Sequence, residues 1–376
     1  MIEIYKDLLK IRHLLVDFSE KYLYNKANDC ANDYFNPMTN PPTITDVAQL
    51  AGVSTTTVSH HINGTRYVSE DLKGRVEEAI KTLGYQPNSL ARGLRRGESK
   101  TFGLIVPDNS NPFFAEILRQ IENIGYEHGY SVILYNSDGD IKKEIAYTDL
   151  LFAKQVDGIV FISTNNSFEH LQQLTNKGIP IIIIDRDIPL KSTDVLLVDN
   201  FMGGYLATQY LIRLGHTKIA CITGPSLLTP SAERVNGYKK ALQEANLELK
   251  PEWIIPGDFQ FDGGEKGIGQ ILKMSARPTA IFACNDLMAL GVMRGLRNSG
   301  YSVPQDYSLI GFDDVPLSSI ISPALTTIAQ PINKISKLEI ELLLKRIQLN
   351  DEAKERTVLP VQLVIRESCR KTENTY

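Results

Sequence analysis

Ten polar and aromatic residues after residue 110 have side chains suited to binding a small polyol or sugar. Carboxylates accept hydrogen bonds from hydroxyl pairs, guanidinium and amide groups donate to hydroxyl oxygens, and phenyl rings cover the apolar C–H faces of a pyranose. The ten residues are Asn111, Phe113, Phe114, Asp185, Arg186, Arg234, Phe259, Asn285, Asp313 and Gln330. Because the two arginines balance the two aspartates, the set favours a neutral ligand over a phosphorylated one.

Each of these residues has a structural alternative. Asp185 and Asp313 could be N-caps of helices, and Phe113 and Phe114 could belong to a hydrophobic core. The aspartates could also form the acid and base pair of an enzyme. However, the chain has no P-loop, HExxH or GxSxG motif, and its six histidines show no metal-ligand spacing. The sequence therefore predicts binding without chemistry, with no catalytic residue, no metal site and no cofactor.

The segment from residue 101 onward alternates short apolar runs with amphipathic helical stretches. The predicted strands are Phe102–Val106, Ser131–Tyr135, Gly158–Ile162, Ile179–Ile184, Ile219–Thr223, Ala280–Ala283 and Ser308–Phe312, and the helices include Phe113–Tyr126, Lys142–Lys154 and Leu287–Ser299. This βαβ alternation predicts parallel sheets with helices on both faces, and its length exceeds one core, so we expect two doubly wound lobes. Ligands bind at the carboxyl ends of parallel strands, which here means the cleft between the lobes.

Residues 43–83 predict a separate unit of three short helices, Asp46–Ala51, Thr55–Ile62 and Ser69–Leu83. Gly52 suits a positive-φ position in the turn between the first two helices, which gives the segment helix-turn-helix form. That geometry frees the start of the second helix to enter a DNA major groove, where hydroxyl and imidazole groups can meet bases and phosphates. An ordinary helical hairpin with a solvated polar face is the alternative.

Several short motifs here resemble the LacI/GalR family of bacterial transcription regulators. They are TITDVA at 43–48, TVS at 57–59, ING at 62–64, YQPN at 85–88 and ARGL at 91–94, and the resemblance extends to about residue 368. It implies DNA contacts by Thr55, Thr56, Ser59 and His60 on bases, by Arg66 and Tyr67 on the backbone, and by Arg92 and Leu94 in a hinge helix at the minor groove. His61 stands where the family usually has an apolar residue; it could loosen the small core, add a backbone contact or be inert.

The core resembles the periplasmic sugar-binding fold that this family carries, and its candidate residues match the ribose-binding type. The resemblance therefore implies D-ribose as the effector, with another sugar, a sugar phosphate or a purine as alternatives. It also implies a repressor that binds a pseudo-palindromic operator as a homodimer and releases it when sugar binds, although some relatives need their ligand to bind DNA. A sugar-binding protein without a regulatory role is the other alternative.

The composition is that of a soluble globular protein whose DNA contacts would be local. The 376 residues carry 40 basic and 44 acidic side chains, and the net charge of −4 excludes attachment to nucleic acid by bulk charge. Apolar runs such as Ile181–Ile184 are far short of the roughly 20 residues that span a bilayer. Four scattered cysteines without a CxxC pair, and the lack of a signal-peptide pattern, favour a reducing cytoplasm and no membrane partner.

We therefore divide the chain into five segments. Residues 1–40 are an N-terminal extension with Met38 as an alternative start, 41–85 the helix-turn-helix domain, 86–100 the hinge helix and linker, 101–368 the sugar-binding and dimerisation domain, and 369–376 a tail. The predicted fold class is an all-α helix-turn-helix DNA-binding head plus an α/β periplasmic-binding-protein-like core of two doubly wound lobes.

Overall fold

A computed structural model describes residues 41–86, 98–162, 169–188, 190, 193–349 and 354–372. The chain forms two compact units that divide after residue 92. The predicted N-terminal extension and most of the predicted hinge, including Arg92 and Leu94, lie outside the described residues. No helix among the described residues is long and apolar enough to cross a membrane.

The first unit, called the head here, contains three helices: α1 (Ile44–Ala51), α2 (Thr55–Asn63) and α3 (Glu70–Leu83). Thr43 and Asp46 form a capping box at the start of α1, and the Ser54 hydroxyl accepts from the Thr57 amide at the start of α2. Gly52 ends α1 with a φ of 65°, a conformation that favours glycine. A small apolar core holds the helices together: Val47, Ala48, Ala51, Val58, Val76 and Ala79. The three predicted helices are confirmed, with ends shifted by one or two residues.

The second unit, called the core here, contains two six-stranded sheets with helices on both faces, as predicted. The sheet of the N-terminal lobe has the order β11-β5-β4-β3-β1-β2 and is parallel throughout. Its strands are β1 (Thr101–Val106), β2 (Ser131–Asn136), β3 (Gly158–Phe161), β4 (Ile181–Ile184), β5 (Asp194–Val198) and β11 (Arg356–Leu359). Its helices are α4 (Pro112–Glu127), α5 (Ile141–Ala153) and α6 (Glu169–Asn176).

The sheet of the C-terminal lobe has the order β12-β10-β9-β8-β6-β7 and is parallel except for β12. Its strands are β6 (Ile219–Ile222), β7 (Ile254–Ile255), β8 (Ala280–Ala283), β9 (Ser308–Asp313), β10 (Thr326–Ala329) and β12 (Gln362–Val364). The accompanying helices are α7 (Asn200–Arg213), α8 (Thr229–Glu244), α9 (Phe261–Ile271), α10 (Asp286–Asn298) and the short α11 (Leu317–Ile320).

The chain passes between the lobes three times. After β5 it enters the C-terminal lobe, after β10 it returns through α12 (Ile332–Leu349), which packs on α4 and the first sheet, and after β11 it crosses again to β12. Arg346 of α12 donates to both carboxylate oxygens of buried Asp194 at the start of β5, at 2.6 and 2.9 Å. Each sheet therefore contains one of the last two strands of the chain, and the two lobes are linked by three chain segments rather than one.

Candidate ligand-binding cleft and DNA-binding head

A cavity of about 330 Å³ lies between the lobes of the core, at the carboxyl ends of the strands. All ten residues predicted for a ligand site line it. Ten further lining residues, which the sequence did not predict, come from the loops after the strands and from the first turn of α8: Pro107, Asp108, Asp138, Gly139, Pro225, Leu227, Leu228, Pro230, Asp258 and Gln260. The structure thus brings the predicted set together, while the ligand-binding role of each residue stays a prediction.

The start of α4 presents the first group of predicted residues. The Asn111 side chain caps this helix, since its Oδ1 accepts from the Phe113 amide at 3.0 Å. This cap holds Phe113 and Phe114 in the first turn, where their rings meet edge to face with centroids 5.2 Å apart. Both rings are buried and belong to the main hydrophobic core as well as lining the cavity. The two phenylalanines are therefore core residues, as the structural alternative predicts, and they also line the cleft.

Asp185 and Arg186 follow β4 directly. Arg186 Nη1 donates to Asp185 Oδ2 at 2.5 Å, and both side chains are over nine-tenths buried. The other carboxylate oxygen, Asp185 Oδ1, is buried and has no hydrogen-bond partner among the described residues. Neither Asp185 nor Asp313 caps a helix that the structure describes, so the alternative reading of these two aspartates as N-caps finds no support.

Arg234 is the centre of the C-terminal half of the cavity. Its Nε donates to Asn200 Oδ1 at 2.8 Å, its Nη1 donates to the Cys284 carbonyl at 2.5 Å, and Nη1 lies 3.7 Å from Asp313 Oδ1. The guanidinium also lies over the Phe312 ring, 3.6 Å from its centroid. A buried arginine with this many partners has a fixed position, and its charge helps to hold Asp313 in place.

Asn285 and Gln330 complete this half. Asn285 Oδ1 accepts from the Met288 amide and caps α10, while its Nδ2 donates to the Phe259 carbonyl at 2.8 Å. Gln330 Nε2 donates to Asp313 Oδ1 at 2.7 Å. The polar side chains of the C-terminal half are thus bonded to one another and to the backbone before any ligand is considered.

Three of the ten residues have a backbone conformation that is rare for side chains other than glycine. The φ angles are 64° at Asp185, 65° at Phe259 and 119° at Asp313. Such conformations cost about 1–3 kcal/mol each and cluster at functional sites. Gly224 makes room for one of them, because a Cβ there would lie 2.2 Å from Cζ of the Phe259 ring. The fold therefore holds these three side chains in the cavity at a cost in stability.

The charge of the cavity lining is negative. Burial raises the pKa of Asp313 well above its usual range, and the nearby Arg234 opposes that shift. Burial lowers the pKa of Arg186, and Asp185 opposes that shift. Asp108, Asp138 and Asp258 add to the two predicted aspartates, so five aspartates and two arginines face the cavity. An anionic ligand is disfavoured more strongly than the sequence alone suggested.

One hydrogen bond joins the lobes at the cavity lining. Gln260 Nε2, just before α9, donates to Asp108 Oδ2, which follows β1, at 2.8 Å. Burial raises the pKa of Asp108, but hydrogen bonds from Ser110 and Gln260 outweigh it and the pKa is lowered. Asp108 is therefore an ionised acceptor at neutral pH, and its bond to Gln260 connects the two lobes beside the site.

The predicted DNA-contacting residues of the head lie on α2 and in the loop after it. Thr55, Thr56, Arg66 and Tyr67 are exposed, and Tyr67 retains 86% of its accessible surface. Two others already have partners within the head. They are half-buried Ser59, whose carbonyl accepts from Asn63 Nδ2 at 2.8 Å, and His60, whose Nδ1 lies 2.7 Å from Thr65 Oγ1.

His61 has a contact within the head that the sequence did not predict. Its Nε2 lies 3.4 Å from Glu77 Oε1, and the ring is half-buried between α2 and α3. The polar residue at this position therefore pairs with α3. It neither faces solvent without a partner nor opens the small apolar core, whose members stay buried.

A helix-turn-helix unit followed by a two-lobed core with a polar cleft is the architecture of a DNA-binding regulator with a sugar-binding domain. Two family models match the chain: residues 43–88 match "Bacterial regulatory proteins, lacI family", and residues 99–367 match "Periplasmic binding proteins and sugar binding domain of LacI family". The chain belongs to the LacI family. This confirms the resemblance and the fold class, and it places the chain among DNA-binding repressors.

Individual relatives carry two different names. The HTH-type transcriptional repressor PurR of Aliivibrio salmonicida is 42% identical over 332 residues, 88% of this chain and 99% of that protein. The ribose operon repressor of Escherichia coli K12 is 42% identical over 309 residues, 81% of this chain and 93% of that protein. A LacI family regulator from Enterococcus faecium, solved with bound ribose, is 35% identical and superposes with a TM-score of 0.67 over 73% of this chain and all of that one.

Proposed function

We propose that this regulator is a repressor whose operator affinity falls when D-ribose occupies the cleft. The observation that carries the proposal is Asp185 Oδ1, a buried carboxylate oxygen in the cavity lining with no partner among the described residues. A buried acceptor without a partner costs about 1–3 kcal/mol, more when it is charged, and a ligand hydroxyl would remove that cost. The bonded groups of the C-terminal half stand ready to accept and donate to further hydroxyls.

The chemistry of the lining favours a neutral polyol over the other candidates. A phosphorylated sugar would bring about two negative charges into a lining with five aspartates and two arginines. A purine has few N–H donors beside ring nitrogens with lone pairs, whereas each hydroxyl of a polyol can donate to a carboxylate, so a polyol satisfies more of the aspartates. Phe113, Phe114 and Phe259 can cover the faces of either ring system, so the carboxylates decide the preference. The ribose named for the Enterococcus faecium structure supports the same choice.

On the DNA side, we propose that two copies of the chain bind a pseudo-palindromic operator, since a two-fold protein fits two-fold half-sites. Thr55, Thr56, Ser59 and His60 would contact bases, and Arg66 and Tyr67 the backbone; Arg92 and Leu94, outside the described residues, would act at the minor groove. Ribose would reduce operator affinity through a coupling of about 1–3 kcal/mol, or roughly 5- to 150-fold.

Calorimetric titration of the full chain tests the ligand. D-ribose should bind saturably at one site per chain, while D-ribose 5-phosphate and hypoxanthine should give no heat above dilution. Saturable binding of hypoxanthine with no response to ribose would contradict the proposal. Operator DNA selected by the protein from a random duplex pool then allows the second measurement. Adding ribose should weaken binding to that DNA, and unchanged or stronger binding would overturn the proposed sign of control.

The hinge assignment is tested separately. Leu94→Ala should weaken binding to the selected operator, because a wedge that unstacks a base step would be lost. Its ribose affinity should equal that of the unmodified chain. Unchanged operator affinity would remove Leu94 from the DNA interface.

A further inference from the structure

A fully buried carboxylate, Asp286, lies behind the C-terminal half of the cavity without lining it. It is the first residue of α10 and directly follows Asn285. No lysine or arginine pairs with it among the described residues. A buried carboxylate with no counter-ion must be stabilised by hydrogen bonds, because moving it out of water is costly. The hydrogen-bond donors to Asp286 therefore indicate its structural role.

Asp286 accepts three hydrogen bonds, each from a different part of the lobe. Thr327 Oγ1 of β10 donates to Oδ1 at 2.5 Å, while Ser318 Oγ of α11 and the Val315 amide donate to Oδ2 at 2.6 and 3.0 Å. Every partner is a donor, so the pattern suits an ionised carboxylate. The three donors lie outside the cavity lining, as Asp286 does.

The segments joined by this carboxylate are the ones that carry cavity residues. Asn285 precedes Asp286, Val315 comes two residues after Asp313, and Gln330 comes three residues after Thr327. These bonds add to the ladder hydrogen bonds that connect β8, β9 and β10. Asp286 thus lies just after β8 and bonds to the turn after β9, to α11 and to β10, without lining the cavity.

The backbone near Asp286 leaves space for its carboxylate and directs an amide toward it. A Cβ at Gly311 in β9 would lie 2.1 Å from Asp286 Oδ1, so glycine leaves the space that the carboxylate occupies. Two consecutive residues with positive φ lie at the end of β9 and in the turn after it, with φ of 119° at Asp313 and 59° at Asp314. The Val315 amide that ends this turn donates to Asp286. That hydrogen bond helps to keep the costly conformation that aims Asp313 into the cavity.

We infer that Asp286 is a positioning residue that sets the geometry of Asn285, Asp313 and Gln330 for the effector. The inference rests on the proposed function, since it assumes that these three side chains bind the ligand. Hydrogen bonds to a sugar need the donor and acceptor placed within about half an ångström, so a small shift of the segments that carry Asn285, Asp313 and Gln330 lowers affinity with little loss of fold.

Two adjacent threonines of β10 provide a matched test. Thr327→Val removes a donor to Asp286, whereas Thr326→Val removes the acceptor of the Arg366 amide, and both side chains are fully buried. Both changes should lower the melting temperature by similar amounts. Thr327→Val should weaken D-ribose binding about 5- to 30-fold by calorimetry, and Thr326→Val should change it by less than about 2-fold. Equal affinities in the two variants would overturn the inference.

Hydrogen exchange followed by mass spectrometry gives a readout that needs no ligand. In the unliganded full chain, Thr327→Val should speed exchange of a peptide covering residues 313–318, and Thr326→Val should leave it unchanged. If the unmodified chain binds no ribose, the proposed effector fails, and this exchange experiment still decides whether Asp286 holds the turn. If Thr327→Val does not fold, Ser318→Ala replaces it and Ser368→Ala, which breaks bonds to Leu309 and Thr326, is its control.

Discussion

The two lobes contribute unlike halves to the same cleft. In the C-terminal half, Asp313 is bonded to Gln330 and lies beside Arg234, which is itself bonded to Asn200 and a backbone carbonyl. In the N-terminal half, Asp185 uses one carboxylate oxygen for Arg186 and leaves the other without a partner among the described residues. Both aspartates are buried and both have positive φ. They differ in how many of their hydrogen-bonding positions the protein has already filled.

This difference predicts how each half of the cleft responds to a ligand and to substitution. A half that is internally bonded is positioned in advance, so binding costs little conformational entropy there. A half with an open acceptor gains most from a ligand, since its buried oxygen obtains the partner it lacks. We therefore expect changes in the C-terminal half to lower stability and affinity together, and changes at Asp185 to lower affinity with a smaller effect on stability.

The largest effect is expected for Arg234→Met. It leaves the buried Asp313 without its cation and removes hydrogen bonds to Asn200 and the Cys284 carbonyl. Breaking a buried ion pair by removing one partner costs about 3–5 kcal/mol of folding free energy. Scanning calorimetry should show a large fall in melting temperature, and titration should show loss of ribose binding. Arg294→Met, an exposed arginine paired with Glu265, is the control and should melt like the unmodified chain.

Asp185→Asn should have the next largest effect, and on affinity above all. It removes the charge of the acceptor that we propose for a ligand hydroxyl, and this charge also pairs with buried Arg186. Because the amide oxygen of asparagine can still accept from Arg186, the loss of stability should be smaller than for Arg234→Met. A hydrogen bond to a charged group is worth about 1.5–3 kcal/mol, so ribose affinity should fall roughly 10- to 150-fold. Asp187→Asn, two residues away and paired with Arg356 at the surface, should bind ribose normally. If Asp185→Asn lowered the melting temperature as much as Arg234→Met, the proposed contrast between the lobes would be wrong.

Two buried histidines outside the cleft show the same contrast between a side chain with hydrogen-bond partners and one without. His216 in the C-terminal lobe lies within 3.1 Å of Thr279 Oγ1, Ser308 Oγ and the Arg370 carbonyl, whereas neither ring nitrogen of His170 has a partner in the described part of the chain. At pH 7.5, His216→Leu should cost about 1–3 kcal/mol because it leaves buried polar groups unpaired. His170→Leu should cost much less. Melting of the two variants beside the unmodified chain measures this difference.

Acid should act on both histidines in the same direction. Burial lowers the pKa of both His170 and His216, so each is favoured in its neutral form in the folded state. Their contribution to stability is therefore present above the unfolded-state pKa of about 6.5 and is lost as pH falls below it. His170→Leu should reduce the fall in melting temperature between pH 7.5 and 5.5. An unchanged pH dependence in this variant would show that His170 is not buried as neutral imidazole.

The sequence predicted the parts of this fold that follow from hydrophobic patterning. Seven strands and the residues at their ends could be placed, because a buried parallel strand is an apolar run and its carboxyl end is where a ligand binds. The strands β5, β7, β10, β11 and β12 were missed. Strands β7 and β12 are only two and three residues long, and β11 has a mixed exposed and buried pattern. None of these three strands therefore has a clear hydrophobic period.

The cleft residues that the sequence did not predict were hidden for a different reason. Asp108, Asp138 and Gln260 lie in loops, where polar residues are usual and carry no signal of their own. Asp286 reads in the sequence as an ordinary acidic residue in the first turn of a helix, a position that the helix dipole favours. Its contacts lie 29 to 41 residues away along the chain, and no local pattern encodes them.

The smallest effect that we expect concerns the bond between the lobes. Gln260→Met keeps the length of the side chain but removes the donor to Asp108 Oδ2. A hydrogen bond of this kind contributes about 0.5–1.5 kcal/mol, so the closed cleft should open roughly 2- to 10-fold more readily. Since the bond does not touch the internally bonded set around Arg234, the melting temperature should barely change, and the loss should appear as faster ribose release in stopped-flow measurements. Gln270→Met, farther along α9, is the control. A faster association rate with unchanged release would instead mean that the bond obstructs entry, and the two halves of the cleft would then act independently.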